Sequence, residues 1–216
     1  MAKIEAARQR QSGAAATRKP RAAGVGAPDH ALRIVGGLWK RTRLPVARMP
    51  GLRPTPDRVR ETVFNWLGQD LSGWTCCDAF AGTGALGFEA ASRGASAVTL
   101  IEQDRALVLQ LAATKERLGA DMVQIQRGDG VAALSRLPPG SQDVVFLDPP
   151  FDADLFGPAL RAASGAVRPG AFVYLEAPAA WSDAMVDAWG LTVVRHLKAG
   201  AVHAHLLRKC DPVPHA

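Results

Sequence analysis

"TCCDAFAGTGALGFEAASRGASAVTLIE", residues 75–102, holds the pattern that decides the fold. Residues 75–80 form an apolar run of strand length, and "AGTGALG" breaks it with glycine. "ALGFEAASRG" reads as a helix ended by Gly94, and "AVTLIE" as a second strand. Gly82, Gly84 and Gly87 fit G-x-G-x-x-G, a spacing that lets backbone approach a ligand and seats the next helix close to the sheet. Alone the match is weak, because a tight structural turn has the same composition. The setting strengthens it: a strand before, a helix after, and Glu102 ending the next strand. A carboxylate at that point can accept hydrogen bonds from both hydroxyls of a ribose.

The same rhythm continues downstream. Residues 104–118 read as a helix, "VQIQRGD" as a third strand followed by a short helix, and "DVVFLDPPF" as a fourth strand. Residues 153–165 are expected to be helical, "AFVYLEAP" to be a fifth strand, and residues 180–188 a short helix. "LTVVRHLKAG" and "AVHAHLLRK" then form a terminal antiparallel pair. Upstream, "LRIVGGLWKRTRLPV" reads as two short strands with a turn or bulge at Gly36-Gly37. Pro54 and Pro56 forbid a helix through their stretch. Asp57 can cap one in which Val59, Val63, Phe64, Trp66 and Leu67 recur at near-helical spacing. Alternating strands and helices imply an α/β fold: a mostly parallel sheet with helices on both faces and a small N-terminal hairpin and helix added. Ligands of such sheets bind beyond the carboxyl ends of the strands. That rim collects the turn after Phe80, Glu102, Asp129 and the DPPF segment.

The glycine turn and Glu102 suit a nicotinamide dinucleotide as well as S-adenosylmethionine. Asp78 favours the second. It lies four residues before Gly82, where it would repel a pyrophosphate but attract an ammonium or a sulfonium. The candidate cofactor residues are Asp78, Phe80, Gly82, Gly84, Glu102, Gln103, Gly128 and Asp129. Asp129 is placed either to meet an adenine amino group or to cap the next helix, and the sequence leaves both open.

At the other end of the rim, "FLDPPF" (146–151) closes a buried strand with Asp148, two prolines and a ring. An amino group conjugated to a ring is a poor nucleophile, because its lone pair is delocalised. Two acceptors that bind its two N–H groups can turn the lone pair toward an electrophile. Asp148 offers a side-chain oxygen and Pro149 a carbonyl, with no N–H of its own. Pro150 stiffens the turn so that both acceptors are pre-oriented. Phe151 gives a base a ring to stack on, worth about 1–3 kcal/mol per base in single-strand binders.

Charge is distributed unevenly. Residues 1–30 carry six Lys/Arg against two Asp/Glu, residues 31–60 eight against one, and the remainder twelve against seventeen. A basic front on an acidic body points to a polyanionic partner. Residues 1–30 have the composition of a disordered tail. In residues 31–60 the charges alternate with Ile34, Val35, Leu38, Trp39 and Leu44, which a solubilising tail does not need. Arg33, Lys40, Arg41, Arg43, Arg53, Thr55 and Arg58 are candidate contacts to nucleic-acid phosphates. Arg60 either joins them or pairs with a carboxylate. The three cysteines, Cys76, Cys77 and Cys210, have neither disulfide nor zinc spacing and read as small core residues. The five histidines lie outside the four rim segments, and no metal site is expected. No apolar run approaches the roughly 20 residues of a membrane span, and the N-terminus lacks the apolar core of a secretory signal. A cytoplasmic monomer is the expectation.

"DxFxGxGxxG" together with "DPPF" resembles the amino-methyltransferase branch of the class I, Rossmann-like methyltransferases. Residues 33–67, "RIVGGLWKRTRLPV…PGLRPTPDRVRETVFNWL", resemble more narrowly the bacterial enzymes that methylate the exocyclic N2 of one guanine in 16S ribosomal RNA. The likeness runs from about residue 32 to 209 and includes "LKAGAVHAHLLRK". It implies a seven-stranded sheet with the last strand antiparallel, S-adenosylmethionine as methyl donor, and 16S ribosomal RNA within an assembling small subunit as acceptor. The expected organisation is a tail (1–30), an RNA-binding extension (31–70) and a cofactor-binding catalytic domain (71–212). Two other readings stand beside it: methylation of DNA adenine N6 or a protein glutamine amide, and a noncatalytic RNA-binding assembly factor.

Overall fold

The structure is a computed structural model that describes residues 32–46, 57–151 and 154–211. Strand β1 (Thr75–Asp78) lies mid-sheet, with β2 (Ala97–Glu102) on one side and β4 (Gln142–Leu147) on the other, both parallel to it. With β3 (Val123–Arg127), β5 (Val167–Ala177), β6 (Leu191–Ala199) and β7 (Val202–Lys209), the order is β3-β2-β1-β4-β5-β7-β6. β7 runs antiparallel to both of its neighbours, as the resemblance implied. Strand order reverses between β1 and β4, which opens the crevice that ligands of such sheets occupy.

The period-two alternation of strands divides the core into two layers. Cys76, Val144, Phe146 and Tyr174 face a layer shared with α1 (Asp57–Trp66), α2 (Ala85–Ser92) and α3 (Arg105–Leu118). Cys77, Val145, Leu147 and Leu175 face the other, with α4 (Gly130–Leu134), α5 (Phe156–Ala166) and α6 (Asp183–Val186). Asp104 caps α3 by accepting from the Ala106 and Leu107 N–H groups at 2.7 and 2.9 Å. Gly87 sits where a Cβ would lie 2.0 Å from Leu100 Cδ2, so its hydrogen lets α2 lie close on β2.

Three expectations change. The N-terminal hairpin is reduced to one antiparallel bridge, Arg33 opposite Arg43, because the N–H groups of residues 35, 36, 38 and 39 bond to α2 instead of extending a ladder. β5 starts at Val167 and not at Ala171: Pro169 and Gly170 ride a register shift in its pairing with β4. The 180–188 helix shrinks to α6 and a 3-10 turn over Asp187–Trp189. Cys76 and Cys77 are buried, and burial pushes both thiols well up. Cys210, just past β7, is exposed rather than core. Among the described residues no helix is long and apolar enough to cross a membrane, and no group of three or more His, Cys, Asp or Glu is arranged for a metal.

Candidate active site

The glycine turn is tied to the end of β2. Glu102 accepts from the Gly82 N–H at 2.8 Å with one oxygen and from the Asp104 N–H at 2.8 Å with the other. A carboxylate has about four acceptor positions, so both oxygens keep capacity for a ligand hydroxyl. Gly82 and Gly84 have φ of 52° and 78°, a backbone that glycine adopts without strain. A Cβ on Gly84 would also lie 2.6 Å from both Leu111 Cδ2 and Phe88 Cδ2. The Gly128 N–H donates to the Glu102 carbonyl at 3.0 Å, bringing the loop after β3 to the same place. Phe80 is half-buried behind that loop, and Gln103 is exposed with its carbonyl near Arg127 Nε at 3.4 Å. Asp129 caps α4, accepting from the Ala132 N–H at 2.7 Å, so its capping reading is realised.

Asp78, buried at the end of β1, accepts from the Gly87 N–H at 3.1 Å. Burial pushes its carboxyl up to about 7; the Gly87 and Phe80 N–H groups oppose the rise, and Glu102 and Glu176 add to it. Asp148 follows β4 directly. Burial pushes its carboxyl well above the usual range, reinforced by Glu176 and then Asp78. Leu147 pairs with Leu175, so Asp148 and Glu176 are the next residues on adjacent strands. The Tyr174 hydroxyl donates to Glu176 Oε1 at 2.9 Å, and burial, with Glu176 next, raises that phenol well above its ordinary value. Pro149 is buried, Pro150 is exposed, and Phe151 is 39 % exposed with its ring centroid 6.3 Å from that of Phe156. The rim is therefore an acidic crevice with an exposed ring at one lip. Glu176 was missed in the sequence, although it is the only acid of "VRPGAFVYLEA" and stands near the strand's end, much as Glu102 does in its own.

The basic candidates divide. Arg33, Lys40, Arg41, Arg43 and Arg58 are exposed, and the bridge sets Arg33 and Arg43 opposite one another. Arg60 is instead fully buried, bonded to Glu89 at 3.2 Å and Asp57 at 2.6 Å. Arg53 and Thr55 lie outside the described residues, as does the 1–30 tail. The histidines lie farther along the sheet. His205 accepts from the Trp181 N–H at 3.0 Å, and His196 stacks between it and His203. Because β7 runs backwards, His203 is opposite Ala177, at the carboxyl end of β5 rather than far from that edge.

This strand order, with a glycine turn after β1, an acid ending β2 and Asp-Pro-Pro-Phe after β4, is the class I methyltransferase fold. The chain belongs to the family described as "Conserved hypothetical protein 95", whose profile matches residues 32–208. Ribosomal RNA small subunit methyltransferase D of Escherichia coli is 40 % identical over 171 residues, spanning 72 % of this chain and 85 % of that protein. The protein of the same name from Haemophilus influenzae is 41 % identical over 152 residues, 67 % of this chain and 78 % of the relative. The solved structure of the yhhF protein from Escherichia coli superposes with a TM-score of 0.73 at 36 % identity, covering 84 % of this chain and 99 % of that one. A structure from Haemophilus influenzae gives 0.69 at 31 % identity, covering 84 % and 99 %. Fold and family together make the chain a methyltransferase.

Proposed function

We propose that the chain transfers a methyl group from S-adenosylmethionine to the exocyclic N2 of a guanine in 16S ribosomal RNA, in the cytoplasm and on an assembling small subunit. The observation that carries this reading is the crevice holding Asp78, Asp148 and Glu176 beside the glycine turn. Carboxylates clustered at a partly buried rim suit a donor bearing ammonium and sulfonium charge and disfavour a pyrophosphate. When bound, that donor supplies an electrophilic methyl group. Asp78 and the N–H groups of the glycine turn would hold its amino-acid end, and Glu102 the ribose. Asp129 is occupied in capping α4 but keeps its second oxygen for the base.

Asp148 and the Pro149 carbonyl accept the two N–H groups of the guanine amine. This turns the amine lone pair out of conjugation and stabilises the positive charge that grows on nitrogen. Phe151 stacks the base. As the new bond forms the amine becomes acidic, and Asp148 is placed to take its proton. The residue types fit the donor, and the exposed basic residues of the N-terminal segment suit a polyanionic acceptor.

Labelled methyl donor offered to 16S RNA, small subunits, DNA and protein tests the proposal. Label in N2-methylguanine of the RNA or the subunit is expected. Label in DNA adenine or a glutamine amide would replace the acceptor, and no transfer at all would favour a noncatalytic assembly factor.

A further inference from the structure

Helix α2 begins at the glycine turn and ends against the basic N-terminal segment, and one carboxylate within it holds that segment. Glu89 is fully buried. Its Oε2 accepts from the Val35 N–H at 2.7 Å and Arg60 Nη1 at 3.2 Å; its Oε1 accepts from the Gly36 N–H at 2.8 Å and Arg93 Nε at 2.8 Å. All of the roughly four acceptor positions of a carboxylate are thus used, by three different elements. Ser92, three residues on, continues the seat. Its carbonyl accepts from the Leu38 N–H at 2.7 Å. Its hydroxyl accepts from the Trp39 N–H at 2.9 Å and donates to the Gly36 carbonyl at 2.6 Å.

The seat admits little freedom. Gly37 has φ of +71°, and a Cβ there would lie 1.8 Å from the Ser92 carbonyl oxygen. Arg60 and Arg93 are neutralised in this cluster by Glu89 and Asp57. Arg33, Lys40, Arg41 and Arg43 of the same segment are exposed. The inner side of the segment is therefore locked to the cofactor helix, while its outer side is basic. At its other end the same helix is fixed by the bond from the Gly87 N–H to Asp78.

We infer that Glu89 is a positioning residue for the RNA: it fixes residues 35–39 on α2 so that the exposed arginines and Lys40 meet phosphates in one register with the reacting end of the sheet. The inference rests on the proposed RNA methylation. Glu89 touches neither donor nor base, so its effect falls on substrate binding rather than on chemistry.

Two variants test it. Glu89→Gln swaps one acceptor oxygen for a donor that must face an N–H or a guanidinium. Gly37→Ala lifts the segment from outside and leaves the carboxylate untouched, which keeps the test open if the first variant does not fold. Both should raise KM for small subunits by about tenfold or more, the scale of losing charged hydrogen bonds. Both should keep kcat and S-adenosylhomocysteine affinity within about twofold, since the donor's own partners are unchanged. The salt dependence of RNA binding should become shallower by about one unit of slope for each phosphate no longer engaged, a readout that simple destabilisation would not move. Folded variants with the parent KM and salt slope overturn the inference. So does a parallel loss of donor affinity, RNA affinity and melting temperature, which would leave Glu89 a purely structural role. If the parent protein itself transfers no methyl to small-subunit RNA, the functional reading falls and takes this inference with it. An active parent with unchanged variants removes the inference alone.

Discussion

Burial pushes the Asp78 carboxyl up to about 7, with the Glu102 and Glu176 charges adding and two backbone N–H groups subtracting. In an unfolded chain an aspartate loses its proton near 4. Between those values the folded protein keeps a proton that the unfolded chain has lost. The stability this group contributes is therefore complete below pH 4 and lost as pH rises through about 7. Asp78→Asn should flatten that part of the melting-temperature profile of the ligand-free protein, and an unaltered profile would refute the assignment. A cationic donor prefers the ionised carboxylate, so donor affinity should rise with pH by up to about tenfold per unit below 7 and level off above. Calorimetry in buffers of different ionisation enthalpy would show the released proton. Asp148→Ala should keep donor affinity yet slow single-turnover transfer by about 10²–10³-fold, the usual cost of removing a group aimed at developing charge. Asp148→Asn should retain part of the rate, because its carbonyl still accepts one hydrogen bond. Full chemistry in a folded Asp148→Ala protein would leave Asp148 no more than a turn cap. The sequence displayed Asp148 because prolines and an aromatic ring flag it. It hid Glu89, whose partners Val35, Gly36 and Arg60 are 54, 53 and 29 residues away. The one local signal for it was an acid amid the small and apolar residues of "ALGFEAAS", with Arg93 four positions on.

At the level of elements, the sheet was legible because each strand carries its burial in its own composition. β4, "QDVVFL", is buried at every position, as a central parallel strand flanked by helices must be. The N-terminal hairpin and the start of β5 were less legible, since both depend on partners remote in sequence. The hairpin's N–H groups are taken by Glu89 and Ser92, and β5 tolerates Pro169 and Gly170 only at its shifted pairing with β4. The surviving bridge makes a compact test of the basic segment. Arg33 and Arg43 are exposed and opposite, so reversing both to Glu should weaken RNA binding and lower its salt slope by about one unit per phosphate released, while donor binding is unchanged. A double variant with the parent slope would move the RNA-binding face elsewhere. The loop after β3 invites a packing test. A Cβ on Gly130 would lie 2.2 Å from the Ala79 carbonyl oxygen, a backbone atom with no rotamer to yield. Gly130→Ala should therefore cost about 1–3 kcal/mol, the range for overpacking. Because the clash falls between the loops that follow β1 and β3, donor affinity should drop with it.

Across the whole molecule, the net charge of +6 conceals a division between a basic front and an acidic body. Residues 1–60 carry fourteen Lys/Arg and three Asp/Glu, and the remaining residues twelve and seventeen. The division has a mechanical use: the acidic body can hold a cationic donor, and the basic front can hold a polyanion, without either ligand meeting the wrong charge. Within the front, the two halves are expected to act differently. The matched family span begins at residue 32, and Glu89 and Ser92 hold the segment from residue 35 onward in a fixed place. Residues 1–30, with six Lys/Arg against two Asp/Glu, precede every residue assigned to the donor, the base or the seat. Their charge can attract RNA only over about 8 Å at physiological ionic strength, and over about 30 Å at 0.01 M. Removing residues 1–30 should therefore leave kcat and the melting temperature unchanged. It should slow RNA association at low salt and have little effect at physiological salt. Stopped-flow binding across a salt series, beside single-turnover methylation, would measure both. A truncated protein that folds and binds the donor but methylates no RNA would show that the tail touches the acceptor directly, and would move part of the RNA site into residues 1–30.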